Sequence, residues 1–482
     1  MSTPPARQTA PAARETPAGP GRGGTTALLT ALLAACVAFQ LNASMLSPAL
    51  VTMARELHTD EAATGLSQTA FFTACGMFSL FLPRFSDIAG RKRVLQGMLA
   101  VLTAGTVLAA LAPNIVVLDV ARVIQGVTGP VVQISLLMLR AQVTDPKRLG
   151  ALMGVVTAVN GGVAGIDALA GGWLAGAFGF RSIFWVIAVV ALLALVLVSL
   201  GCRESRPSAG TPMDWPGVLP IAVAVVALLI AVEEAKQPAT ADWAVFTGLL
   251  VLAAAAFALF WRVETRSPHP LVRIRDLRRR ATWAPLLTTL LTLVGVFAVV
   301  NGVLMSFVQN EEAGFGMSAS TASLAFLTPF ALVGWLVGPF TGRLAPTLGY
   351  LRLLRWGLLG SVAVLAVAAF AGVHSPPVMI GCTVLLGVTY AGMANIVLNL
   401  LGVVLAPADH PGFLPGLISA AFGLGAGLSF ALLTPVQVAG SPDGSGSAAG
   451  YVAAVVAGML VVAAAWAASF LIPKPRDAEV AP

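Results

Sequence analysis

Fourteen apolar runs of about 20 residues, set apart by short polar connectors, dominate this chain of 482 residues. They lie near 28–50, 64–83, 95–112, 115–138, 150–176, 183–201, 217–233, 243–262, 283–307, 322–341, 353–371, 378–400, 413–436 and 450–472. Coiled into helix, each run matches the hydrocarbon thickness of a bilayer. A backbone in lipid must satisfy its own N–H and C=O groups, so the runs are expected to be helices. The chain therefore reads as an all-α polytopic membrane protein with lipid as its main surroundings. Only 10% of its residues are charged, against about 25% in soluble proteins, and no soluble domain fits between the runs.

Charge placement orients the spans. Of the 28 Lys and Arg residues, 24 fall in the two tails and the even-numbered connectors, while Arg55, Arg181 and Lys236 lie in odd-numbered ones and Arg122 lies within a span. The positive-inside rule then puts both termini in the cytosol of a multi-pass protein of the plasma membrane. A net charge of +7 could suggest nucleic acid, but the basic residues sit in connectors rather than on one face, so no such partner is expected. Residues 1–26, rich in Pro, Ala, Gly and Thr, read as a disordered cytosolic tail. The run that follows is long enough to span, which argues against a cleaved signal peptide. Cys36, Cys75, Cys202 and Cys382 are widely separated, and neither a disulfide framework nor a metal site is expected. All four histidines lie in loops and no GxxxxGK[ST] phosphate loop occurs, so enzymatic chemistry and ATP-driven pumping are both disfavoured.

An internal repeat organises the spans. The connector Pro83-Arg-Phe-Ser-Asp87-Ile-Ala-Gly90-Arg91-Lys92-Arg93 aligns without gaps on Gly342-Arg-Leu-Ala-Pro346-Thr-Leu-Gly349-Tyr-Leu-Arg352, placing the second span on the tenth. The plan is six spans, two inserted spans and six more: a first bundle over 27–201, the insert with its flanking loops over 202–281, a second bundle over 282–472 and a tail over 473–482. Parallel repeats of this kind let two halves rock about a midplane site.

These features resemble the major facilitator superfamily, and within it the 14-helix drug:proton antiporter branch. Asp87, Gly90, Arg91 and Lys92 match the family's GxLxDRxGRK loop, with Pro83 at its leading glycine and Ile88 at the arginine after the acid. Arg122, Gln125 and Gly126 match RxxQG in span 4. The insert opens on Asp214-Trp215-Pro216-Gly217, its second helix on Trp243, and Glu264 and Pro270-Leu271 follow, as in the 14-helix branch. The resemblance implies two six-helix bundles plus two inserted helices, each monomer holding a complete pathway, with no cofactor and a proton gradient as energy source.

It also implies roles. Asp87, Gly90, Arg91, Lys92 and Arg93 are expected to form a cytosolic latch whose acid and bases pair between the halves when the transporter opens outward; as charges alone, the three bases serve equally as membrane anchors. Arg122 is the one basic residue deep in a span, a functional candidate by default, and Asp119 on the same face could neutralise it. The resemblance ties such residues to proton coupling. Span 5 carries Asn160, Gly161, Gly162, Gly165, Asp167, Gly171 and Gly172, small residues that permit close helix packing. Where antiporters have GPxxGG, Asp167 and Ala168 replace the leading Gly-Pro. Asp167 is the one carboxylate near the middle of a span, and with Arg122 it is the expected proton-coupling pair, although it could instead be a buried partner of Arg122. In span 1 Leu41-Asn42-Ala43-Ser44 stands where many antiporters have LDxT, and Asn42 does not titrate.

Spans 1, 4, 5 and 9 line the cavity in the superfamily, which makes Asn42, Gln133, Asn160 and Asn301 the expected substrate contacts. With Phe39, Phe71, Phe72 and Phe297 they would form a large apolar cavity with few charges. The expected function is proton-coupled efflux of hydrophobic or amphipathic small molecules. Proton symport or facilitated uptake of a small metabolite, and a non-transporting sensor or scaffold, are the alternatives.

Overall fold

The computed structural model describes residues 22–143, 152, 155–156, 167–204, 213, 215–234, 242–267, 274–406, 413–439 and 447–475. These residues are helical almost throughout. The elements are α1 (Arg22–Ser44), α2 (Glu61–Ala89), α3 (Arg91–Ala110), α4 (Ile115–Gln142), α5 (described over 167–178), α6 (Arg181–Gly201), α7 (Trp215–Glu234), α8 (Trp243–Arg266), α9 (Arg280–Gln309), α10 (Ala319–Leu348), α11 (Tyr350–His374), α12 (Pro376–Val404), α13 (Phe413–Val438) and α14 (Ala448–Leu471). Twelve helices among the described residues are long and apolar enough to cross a membrane. The expected fifth and seventh spans are not among them: most of 150–176 lies outside the described residues, and in α7 the apolar stretch so identified is Trp215–Leu228. Helix begins at Arg22, inside the stretch expected as a disordered tail.

Caps mark where helices start at the ends opposite the basic connectors. Asp60 accepts from the Ala63 N–H at 2.7 Å, Asn114 from Val117 at 3.0 Å, Ser318 from Thr321 at 3.2 Å and Ser447 from Gly450 at 3.0 Å. Each satisfies an N–H that the first turn leaves without an intrahelical acceptor. At the basic ends, α3 and α11 start differently. Gly90 (φ 103°, ψ 127°) and Gly349 (φ 90°, ψ 125°) adopt nearly the same conformation, and their N–H groups bond Ser86 O at 3.1 Å and Ala345 O at 3.0 Å. The repeat seen in the sequence is thus a repeat in the backbone, made at a positive φ that suits glycine.

The two halves meet along two seams. In one, α2 lies against α13 so closely that a Cβ on Gly423 would stand 2.6 Å from the Gly76 backbone nitrogen and 2.8 Å from Phe72 O. In the other, Gly172 of α5 abuts α10, where a Cβ would meet Ala319 O at 2.6 Å. Gly171 abuts Met45 just beyond α1. Both seams run toward the ends opposite the basic connectors. The second half also carries π-helical turns at Val299–Val303 in α9, Ser323–Leu327 in α10 and Gly387–Ala394 in α12. A π turn inserts a residue and shifts the facing side chains, a feature frequent at functional sites.

Candidate functional site

The first half is built around a buried cation. Arg122 is fully buried on α4. Its Nη1 donates to Asn42 Oδ1 and Gln125 Oε1, both at 2.8 Å, and to Asn42 O at 3.3 Å, while Nη2 donates to Gln68 Oε1 at 2.5 Å. The guanidinium lies 4.1 Å from the centre of the Phe71 ring, whose face adds a further attraction. Gln125 donates onward to Thr106 at 3.3 Å. Gly126 sits against Ala74 and Cys75 of α2, which lets α4 come close enough for Arg122 to reach Gln68.

The expected ion pair is replaced by amides. Arg122 makes no salt bridge among the described residues; Asp119 lies near enough to act on it electrostatically, yet the guanidinium hydrogens go to neutral oxygens. Because Arg122 takes the amide oxygens, the NH2 groups of Asn42 and Gln68 are turned away, and both are buried without an acceptor. Hydrogen-bonding capacity is left open beside an aromatic wall.

Asp167 stands on the other side of the end of α1. It is 2% exposed, and Ser44 Oγ donates to its Oδ2 at 2.6 Å. Gln40 Nε2 in turn donates to Ser44 Oγ at 2.8 Å. Arg122 and Asp167 thus hold two sides of the segment Gln40–Ser44 rather than each other, so the alternative of a direct Arg122–Asp167 pair is not what the geometry contains. Among the described residues Oδ1 of Asp167 has no hydrogen-bond partner.

An aromatic column crosses from one half to the other. Ring centres are 6.5 Å apart for Phe39–Phe71, 5.0 Å for Phe71–Phe72 and 4.8 Å for Phe72–Phe297, and Phe297 continues to Phe422 at 5.9 Å and Phe430 at 6.2 Å. The four phenylalanines named from sequence are therefore contiguous. Asn301 lies one turn beyond Phe297, inside the α9 π turn, with its Nδ2 on Phe297 O at 3.0 Å. Gln133 is half-buried on α4, with its Oε1 unpaired. Asn160, Gly161, Gly162 and Gly165 lie outside the described residues.

At the basic end the loop residues bond to the first bundle and to the connector that follows it. Arg91 pairs with Asp87 (Nη2 to Oδ1 2.7 Å) and donates to Leu137 O at 2.8 Å. Lys92 Nζ donates to Ser199 O at 2.7 Å. Glu204 accepts from the backbone N–H groups of Lys92 and Arg93 at 3.0 and 3.1 Å, an acid at a helix N-terminus, where the dipole favours it. Sequence reasoning missed Glu204, whose place after span 6 shows only as one acid in a polar connector.

At the opposite end a second constellation escaped the sequence reading. Glu61 of α2 accepts from Gln437 Nε2 of α13 at 2.6 Å and from the Ser306 hydroxyl of α9. Ser306 also bonds the Tyr451 hydroxyl of α14 at 2.7 Å and accepts from Gln437 at 2.8 Å. Glu61 follows the capping Asp60, so in sequence it reads as a first-turn acid complementing the helix dipole.

The Major Facilitator Superfamily family model matches residues 32–430. Among curated proteins, the uridine/deoxyuridine transporter of Lactococcus lactis subsp. cremoris is 46% identical over 464 residues, covering 95% of this chain and 96% of that protein. A multidrug resistance protein B homolog of Mycobacterium tuberculosis is 29% identical, covering 70% of this chain and 62% of that protein. The solved structure of the nucleoside transporter NupG superposes with a TM-score of 0.60 at 14% identity, covering 93% of this chain and all (100%) of that one, a likeness of fold. The full-length relation at 46% overturns the expectation of drug efflux by proton antiport, since the drug-resistance relative is far more distant and covers less. With twelve membrane-length apolar helices among the described residues, two close-packed seams between halves and a family match running from span 1 into span 13, the chain belongs to the Major Facilitator Superfamily, as a multi-pass transporter of the plasma membrane that binds a small-molecule substrate.

Proposed function

We propose that this protein takes up pyrimidine nucleosides, uridine and deoxyuridine among them, by alternating access. The observation that carries the reading is the 46% identity that runs the length of both this chain and the uridine/deoxyuridine transporter. The site chemistry agrees with it. A nucleobase offers flat faces to the column from Phe39 to Phe430, and its carbonyls suit amide donors such as Asn42 Nδ2 and Gln68 Nε2. Asn42, Gln133 and Asn301 are the proposed substrate contacts, with Asn160 as the span 5 candidate. The inward proton gradient is the proposed driving force, Asp167 its carrier with Arg122 holding the opposite side of α1, and the monomer the working unit. The end bearing Asp87, Gly90, Arg91, Lys92 and Arg93 is taken as cytosolic, with those residues free to exchange partners between states.

Radiolabelled uridine uptake into cells lacking their own nucleoside carriers tests the reading. Expression should raise initial uptake, excess unlabelled deoxyuridine should suppress it, and a protonophore should abolish accumulation. Uptake no greater than in control cells would reject it.

The α2–α13 seam supplies a second test. Gly423→Val places a branched side chain against the Gly76 and Phe72 backbone. Overpacking of this kind costs about 1–3 kcal/mol, which would shift the balance away from the closed seam by about fivefold to 150-fold. Uptake per molecule at the cell surface should fall in that range; unchanged uptake would mean that the seam does not close during transport.

A further inference from the structure

We propose that Glu61 is a proton-binding site built into the extracellular gate, where the Glu61 carboxyl of one half is received by Ser306 and Gln437 of the other, with Tyr451 bonded to Ser306 behind them, and that its protonation permits the gate to close. The inference rests on the alternating-access part of the reading above and not on the identity of the substrate.

The geometry is that of a gate. Glu61 opens α2 in the first half, whereas Ser306, Gln437 and Tyr451 come from α9, α13 and α14 of the second. All four are at least nine-tenths buried, at 8%, 4%, 1% and 1% exposure. Leu50, Thr64, Gly65, Phe430 and Thr434 wall the small cavity beside them. The cluster lies at the end opposite the basic connectors, where the α2–α13 seam closes, and a Cβ on Gly65 would already touch Thr434 at 2.7 Å. Opening this end to the outside must part α2 from α13 and return Glu61 to water.

The same carboxyl therefore alternates between bulk solvent and a dry site. Among the described residues the Ser306 hydroxyl and the Gln437 amide donate to it, and the Tyr451 hydroxyl bonds Ser306 behind them; these are neutral groups. An ionised carboxylate loses its hydration on entering, and neutral hydrogen bonds replace that hydration only in part. A protonated carboxyl enters without that loss and still has an acceptor oxygen for Gln437 and a hydroxyl to donate. Tyr451 is a titratable side chain that faces Glu61 from the packed elements, and on the helix of Glu61 itself Asp60 is engaged in capping Ala63. Proton entry from outside and closure of the outside are thereby one event, and release follows only after the seam parts or the proton moves on.

The test reads the gate directly and needs no substrate. His58→Cys and Glu312→Cys put spin labels on exposed positions of the two halves at this end, while the four native cysteines are buried. The distance between the labels is measured on the full-length protein in lipid nanodiscs by double electron–electron resonance, from mildly alkaline to mildly acidic pH. Acidification should move the wild-type protein from a long-distance to a short-distance population, and Glu61→Gln, a neutral isostere, should hold the short distance at every pH. A wild-type distribution indifferent to pH, or a pH response that survives in Glu61→Gln, overturns the proposal. Should Glu61→Gln not fold, Tyr451→Phe serves in its place: it removes one hydroxyl from the site and should shift the midpoint pH of closure, and an unmoved midpoint overturns the proposal. Because no nucleoside is added, failure to transport uridine leaves this result standing.

Discussion

Asp167→Asn is expected to turn concentrative uptake into mere equilibration. One proton entering down about 100 mV supplies roughly 2.3 kcal/mol, which sustains about fiftyfold accumulation of a co-transported neutral solute. Asparagine keeps the size of Asp167 and can still receive the Ser44 hydrogen bond, now 2.6 Å long, but it cannot take up and release a proton. In energised vesicles the accumulation ratio of labelled uridine should fall to about one, and its sensitivity to a protonophore should vanish. A merely structural role would show differently, as loss of folded protein or of entry altogether. Accumulation that persists in Asp167→Asn would remove Asp167 from the coupling path and leave Glu61 as the titrating group to pursue.

Where sequence reasoning succeeded and where it stopped follows from the physics of each feature. Helix positions were legible because lipid permits few alternatives and the apolar runs carry that demand residue by residue. The repeat was legible because a positive φ at the start of α3 and α11 restricts Gly90 and Gly349 to one residue type. The aromatic column was legible as a set, Phe39, Phe71, Phe72 and Phe297, since large apolar side chains on cavity-facing spans have few places to go. The cargo was not. A lipophilic drug and a nucleoside ask for the same surroundings, aromatic faces with a few neutral amides, and the span 5 pattern resembles exporters. The partners of a buried charge were also hidden: Asn42 and Gln68 are 80 and 54 residues from Arg122 along the chain, and nothing local marks either as its ligand. Asp119, on the same helix, was the visible candidate. Glu61 was missed for a similar reason, since an acid at a helix start serves the helix dipole whether or not a partner arrives from another helix, and Glu204, which follows the end of α6, reads in sequence as one acid in a polar connector although it caps α3.

Arg122 carries the other large effect, and the amide cage says what its removal costs. Arg122→Ala takes away the donors of Asn42 Oδ1, Gln68 Oε1 and Gln125 Oε1 at once. Each buried acceptor left without a donor costs about 1–3 kcal/mol, and the emptied volume beside Phe71 adds a cavity term. Uptake should be lost and the thermal unfolding midpoint in detergent should drop by several degrees. Arg122→Lys separates charge from geometry. An ammonium keeps the charge, but it is a compact point on a flexible stem and cannot reproduce the planar fork that reaches oxygens on α1, α2 and α4 together. Thermal stability should recover only in part, and so should uptake. If Arg122→Lys restored both fully, charge alone would be the requirement and the orientation of the Asn42 and Gln68 amides would be irrelevant to transport. If Arg122→Ala melted at the wild-type temperature, the cage would contribute nothing to holding α1, α2 and α4 together.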